Sequence, residues 1–200
     1  MKSNVCRIDK FSADLDAILQ ESEKVAAYNN LTHKQALQLR LLCEELIGMV
    51  PNIIEKFSGE FWIDFDNGVC KVIASINIVG LTSEQKKELI GISTDGRNAS
   101  ATGIVGKIRN AIEDFFLNED EYMNTFVSSS TRLHRPTEHS EFTGYAYTWS
   151  LEEYRCSVKK EEHPDAWDEL EKSVIASVAD DVIVGVKGSR ADITIVKRFA

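Results

Sequence analysis

The sequence predicts an α+β fold: a two-layer sandwich whose mixed, mostly antiparallel sheet carries helices on one face. Three observations predict it. The stretch Leu31 to Ile54 repeats apolar residues at three- and four-residue steps, the period of one buried helix face. Glu60 to Val79 alternates apolar and polar residues around Asn67-Gly68, the signal of a tight hairpin. Val182 to Phe199 repeats the hairpin pattern around Gly188-Ser189. Helices laid on one face of such a sheet would bury every one of these stripes.

In chain order, Ser12 to Tyr28 reads as a first helix. Ser12 or Asp14 can cap it, Leu15, Ile18, Leu19 and Val25 form its stripe, and Asn29-Asn30 ends it. In the second helix Thr32 and Gln35 make a capping box. Leu39, Leu42, Leu46, Ile47, Met49 and Val50 form its apolar face, and Pro51 is expected to kink it or end it early. The hairpin that follows puts Phe61, Ile63 and Phe65 on one face and Trp62 and Asp64 on the other. Asn67-Gly68 suits a type I′ turn, which needs positive φ at both central positions. On the return strand Cys70, Val72, Ala74, Ile76 and Ile78 oppose Val69, Lys71, Ile73, Ser75 and Asn77. Thr82 or Ser83 caps a short helix that stops near Gly91.

Ser93 to Gly103 is rich in Gly, Ser, Thr and Asn, the composition of a loop that can move or cradle something. Ile104 to Leu117 is a helix with Ile104, Ile108, Ala111, Ile112, Phe115 and Phe116 inward. Residues 118–150 read as a long insert or arm in a single domain spanning 1–200. Its first part, Asn118 to Thr143, suits an interaction surface, and Tyr145 to Trp149 can form a strand. A helix led by Pro164 runs to about Val178, with Trp167, Leu170, Val174, Ile175 and Val178 on one face. The closing hairpin runs through Ile193-Thr194-Ile195-Val196.

Composition narrows the function. The chain has 200 residues and 43% hydrophobic content, enough for a real core. Its formal charge is -9, from 32 acidic against 23 basic residues, which argues against nucleic acid as the main partner. The first residues lack a signal-peptide run, and no stretch approaches the ~20 apolar residues of a membrane span. A soluble cytoplasmic protein is expected. Cys6, Cys43, Cys70 and Cys156 lie far apart without a CxxC pair, which predicts buried free thiols.

Within the second helix Glu44 and Glu45 interrupt the apolar pattern. A carboxylate near a core face needs a partner, a ligand or an exit to water. Other constellations are weaker. Gly103-x-x-Gly106-Lys107 lacks the first glycine and the Ser or Thr of a phosphate loop, since Ala101 and Ile108 stand there. His134, His139 and His163 follow no metal-ligand spacing. Ser128-Ser129-Ser130 has no positioned base. Tyr145, Tyr147, Trp149 and Tyr154 suit an aromatic contact surface or an ordinary sheet face.

The order of elements resembles the GHKL ATPase family of histidine kinases and anti-sigma-factor kinases, with its Bergerat-like fold. In that family an acidic-and-Asn helix, the N-box, precedes a hairpin. An Asp-x-Gly-x-Gly loop then meets adenine, a Gly-rich lid covers the phosphates, and a helix and a final hairpin close the sheet. Here Leu41-Leu42-Cys43-Glu44-Glu45-Leu46-Ile47 looks like the N-box start, and the strand with Thr194 is similar to the family's closing strand. The likeness covers roughly residues 30 to 117 and 164 to 200. It implies a cytoplasmic regulatory module that binds ATP or ADP with Mg weakly and acts through a protein partner.

The resemblance gives Glu44 the catalytic role. For cofactor binding it implies Asn52, Asn77, Gly80 and Thr194, with a lid of Asp95, Gly96, Gly103, Gly106 and Lys107. The departures are specific. Four residues after the Glu, where the family has its magnesium-binding Asn, stand Gly48 (from Glu44) or Met49 (from Glu45). Asn52, one turn past Gly48, is a substitute ligand. Asn77 or Ile78 replaces the adenine-binding Asp, and only Gly80 matches a glycine of that loop. The alternative is a non-enzymatic protein-interaction module that has lost nucleotide, with Asn118 to Thr143 as its interface. A small metabolic enzyme using the Glu44-Glu45 pair is a third reading.

Overall fold

The computed structural model of the chain describes residues 1–9, 14–54, 57–78, 103–117, 145, 147–158 and 164–199. Six strands form one sheet: β1 (Cys6–Asp9), β2 (Ser58–Asp66), β3 (Val69–Asn77), β4 (Tyr147–Ser150), β5 (Asp181–Lys187) and β6 (Arg190–Arg198). Their spatial order is β1-β2-β3-β6-β5-β4, and every neighbouring pair is antiparallel. Among the described residues six helices accompany the sheet: α1 (Leu15–Tyr28), α2 (His33–Ile53), α3 (Gly103–Leu117), α4 (Leu151–Ser157), α5 (Pro164–Lys172) and α6 (Val174–Val178). The expected two-layer α+β arrangement is what the chain adopts.

The first hairpin forms as its turn chemistry demands. Asn67 has φ 48 and Gly68 has φ 79, both positive. The turn fixes the register, pairing Ile63 with Val72 and Phe65 with Cys70. A one-residue slip would turn every apolar side chain out of the core. Phe61, Ile63, Phe65, Cys70, Val72, Ala74 and Ile76 are all buried on one side. The second hairpin adds Ala191, Ile193 and Ile195 of β6 and Val182, Val184 and Val186 of β5 to the same cluster.

Against this face pack Ile18 and Val25 of α1, Leu39, Leu42, Leu46 and Val50 of α2, and Ile108, Ile112 and Phe115 of α3. Each such side chain contributes about 1.5–3 kcal/mol by leaving water. Helix α2 touches α1, α3, α6 and β3, so it is the spine of the helical layer. Its Thr32–Gln35 capping box is present, with Thr32 N–H donating to Gln35 Oε1 at 2.9 Å.

Several expectations need correction. Helix α2 passes through Pro51 and ends at Ile53, where the Ile54 N–H still reaches the Val50 carbonyl at 3.0 Å. A proline this close to the end removes one backbone donor, while Met49, Val50 and Ile53 on either side stay anchored in the core. In α1 the cap is Asp14, which accepts from the Ala17 N–H at 3.0 Å, and Leu15 is 41% exposed rather than part of the stripe. Ser12 lies outside the described residues. The helix expected from Pro164 to Val178 is two helices, broken at Ser173. The Ser173 hydroxyl caps α6 by accepting from the Ala176 N–H at 3.3 Å, and Val174 is exposed. Cys43 and Cys70 are buried and Cys6 is partly so, but Cys156 is exposed; all four thiols are free.

Two elements have no forecast in the sequence reading. Strand β1 pairs with the first half of β2, and Glu21 of α1 ties down the residues before it by accepting from the Asn4 N–H and side-chain amide, each at 3.0 Å. Helix α4 follows β4 without a loop. Ser150 caps it, and the buried Asp181 carboxylate accepts from the Glu152 N–H at 3.0 Å. The short helix and Gly-rich loop forecast between Thr82 and Ala101, the insert Asn118 to Thr143 and the side chain of Phe116 lie outside the described residues.

Gly59 is where the sheet tolerates least. A Cβ there would lie 2.3 Å from the Ser75 carbonyl oxygen. Gly59→Ala should therefore lower stability by about 2–3 kcal/mol, the scale of overpacking against an unyielding backbone. Denaturant unfolding measures it, and an unchanged midpoint would contradict the packing at β2–β3.

Candidate functional site: a cleft beside the second helix

Among the described residues, one side of α2 is left partly open. Helix α3 approaches its C-terminal half with its own first turn, and the α5–α6 break comes in beside it. Between them lies an open cleft of about 530 Å³, within the ~300–1,000 Å³ range of small-molecule sites. Glu44, Glu45, Gly48, Met49 and Asn52 of α2 form one wall. Gly103, Ile104 and Val105 form the second, and Lys172, Ser173 and Ile175 the third. Residues far apart in sequence meet here because the two hairpins, and the helices attached to them, join one sheet.

Three of the expected site residues come together in this cleft: Glu44, Asn52 and Gly103. The Glu44 carboxylate accepts from Arg40 Nε at 3.1 Å, and Arg40 Nη1 also reaches Glu23 of α1 at 3.0 Å. Glu44 is thus a half-exposed carboxylate in an ion-pair chain, worth no more than about 1 kcal/mol. Asn52 donates its side-chain N–H to the Gly48 carbonyl at 3.0 Å. Gly103 opens α3 with φ 76, a left-handed conformation that favours glycine.

The other expected residues do not join them. Gly106 is buried within α3 and does not line the cleft. Lys107 turns toward α4, its Nζ 5.3 Å from the Tyr154 ring centroid. Asn77 is exposed at the end of β3, opposite Ser58 and Arg190. Strand alternation puts it on the sheet face away from α2, while buried Ile78 belongs to the α2-side core. Of the two candidates for the adenine-binding position, the one on the α2 side is thus an isoleucine. Thr194 lies between the core residues Ile193 and Ile195 and faces away from α2. Gly80, Asp95 and Gly96 lie outside the described residues.

Lys172, Ser173 and Ile175 were absent from the expected site. The apolar period runs on through Ser173 and hides the helix break. The available signal was Ser173 itself, three residues before Ala176, which fits an N-cap.

Gly48 is the least ordinary member of the cleft. It is exposed in the interior of a 21-residue helix, and among the described residues nothing lies within 4 Å of where its Cβ would be. Alanine there would favour the helix by about 0.5–1 kcal/mol.

The opposite sheet face carries a different cluster. Asp192 is 3% exposed there. It accepts from the Tyr145 hydroxyl on one oxygen and from Arg190 Nε at 2.8 Å on the other. The Tyr145 ring lies over Gly185, where a Cβ would come within 2.6 Å of it. Tyr145 thus packs into the sheet rather than offering a contact surface. Burial and the adjacent Asp192 carboxylate push its pKa from 10.0 up to about 12. Protonated Tyr145 is favoured by the folded state, so this contribution is complete below pH 10 and is lost as pH rises toward 12. Tyr145→Phe should cost about 1–2 kcal/mol at neutral pH by removing a donor from a buried carboxylate. It should also flatten the fall in stability between pH 10 and 12. Thermal unfolding of both proteins across that range checks it, and identical alkaline profiles would contradict the assignment.

Among the described residues no helix is long and apolar enough to cross a membrane, and no three His, Cys, Asp or Glu side chains gather as a metal site. No family model matches the chain, and neither a curated protein nor a solved structure matches it, so a function for the cleft rests on this chain's own residues.

Proposed function

We propose that the chain is a regulatory module on a frame like that of the GHKL ATPases, with the cleft beside α2 as its ligand site, acting through a protein partner. The observation that carries this reading is the meeting of Glu44, Asn52 and Gly103. They come from the stretches that the family resemblance assigns to the N-box and the lid, and they line one cleft. The order of elements supports it too: an acidic helix, a hairpin, a helix and a closing hairpin, with the two hairpins side by side in one sheet.

The ligand is ATP or ADP held weakly. Phosphoryl transfer needs a metal fixed at the phosphates, and Gly48 and Met49 supply no ligand at the N-box position. Glu44 is engaged by Arg40 and half exposed, which suits a rim charge better than a general base. Asn52 is the side chain on α2 that could take a metal or a ring edge. The protein therefore senses or holds a nucleotide rather than turning it over.

A second reading has a specific observation behind it. The α2-side position at the end of β3 is Ile78, and Thr194 faces the other way. A frame with these changes suits a nucleotide-free interaction protein whose partner binds the 118–143 segment.

Calorimetric titration of ATP and ADP, with and without magnesium, separates the two. The first reading expects saturable binding with a Kd below about 1 mM, or roughly -4 kcal/mol. It also expects Lys172→Glu, a charge reversal at the cleft rim, to weaken binding at least about fivefold by repelling the phosphates. No heat at millimolar nucleotide would favour the interaction frame, and binding unaffected by Lys172→Glu would place the nucleotide elsewhere.

A further inference from the structure

We infer that Gly48 is a contact surface for ligand: a flat ring system of nucleoside size lies against the bare backbone of α2 at this residue. The inference rests on the cleft being the ligand site, and it specifies how the ligand sits there.

Glycine inside a helix or strand is favoured where another part of the chain comes too close for a side chain. Gly59 and Gly185 obey that rule, with a carbonyl oxygen and a tyrosine ring in the way. Gly48 does not. It has ordinary helical neighbours, no positive φ, and no described atom within 4 Å of where its Cβ would be. The space that its missing side chain leaves is the cleft itself. The helix-weakening residue thus leaves room that no described part of the chain fills.

The surroundings define what fits. Met49, Ile104, Val105 and Ile175 give the cleft apolar sides, which suit the faces of a planar ring. Asn52 folds back onto the Gly48 carbonyl at 3.0 Å, so its amide stands one turn along from the proposed contact, where a ring edge can meet its oxygen. Glu44, Glu45 and Lys172 at the rim are positioned for the polar substituents of such a ligand. At Gly48 a ring can approach the helix backbone closer by the depth of a methyl group than at any other residue type.

The test uses two effects of opposite sign. Gly48→Ala improves the helix, so the full chain should melt about 1–4 °C higher. The same methyl group occupies the contact surface, so adenosine and ADP, titrated separately by calorimetry, should each bind at least about tenfold more weakly. Gly48→Leu, on an exposed position, should keep the fold and abolish binding of both. A gain in stability with unchanged affinity for both probes would overturn the contact at Gly48 while leaving the cleft as the site. If the unmodified chain binds neither adenosine nor ADP, the ligand reading of the cleft fails, and the inference falls with it. Loss of ADP binding alone, with adenosine unaffected, would also overturn it, because the contact would then be made by phosphate rather than by the ring.

Discussion

The pairing of β3 with β6 is the contact on which the rest of the structure depends. It joins two hairpins separated by more than half the chain, in unbroken register from Val69 opposite Arg198 to Asn77 opposite Arg190. Each hairpin is a local structure that its own turn can specify. Neither buries its apolar face alone, since a two-stranded ribbon is marginal in water. Joined, they present Val72, Ala74, Ile193 and Ile195 as one surface, and α1, α2 and α3 close over it. Closing so long a loop is slow and entropically costly. The apolar area covered afterwards offsets that cost.

That joint also makes the cleft. Helix α2 precedes the first hairpin, and α5 and α6 precede the second. Their meeting beside Gly48 and Lys172 follows from the hairpins lying side by side. The two sheet faces are then unequal. The α2 side is apolar with an open cleft at its margin. The far side carries the buried Asp192, whose two carboxylate oxygens accept from Tyr145 and Arg190. An unsatisfied group would be a candidate for ligand binding, whereas a satisfied cluster is a structural fixture.

Much of the frame was legible because its signals are local. Asn67-Gly68 requires positive φ, and period-two alternation set which of Cys70 or Lys71 faces the core. The α2 stripe was readable from its spacing, and so was the proximity of Glu44 to Asn52, two turns apart on one helix. The misses have physical reasons. Strand β1 has one fully buried side chain, Ile8, so its alternation is too short to register. Helix α4 spans seven residues and depends on the distant Asp181 for part of its capping. Ser173 breaks a helix whose apolar period does not falter. Asn77 has the hydrogen-bonding side chain, but the alternation from Cys70 onward assigns the α2 side to Ile78. Lys172 could not be foreseen at the cleft, because only the tertiary fold brings it to Glu44.

The central claim is that ligand is received beside α2 and not on the opposite sheet face. Solution NMR of the isotopically labelled chain, titrated with ADP in the presence of magnesium, tests it most directly. The account predicts that the largest amide shift changes fall on residues 44–52, 103–105 and 172–175. Changes centred instead on Asn77, Arg190, Asp192 and Thr194 would contradict it.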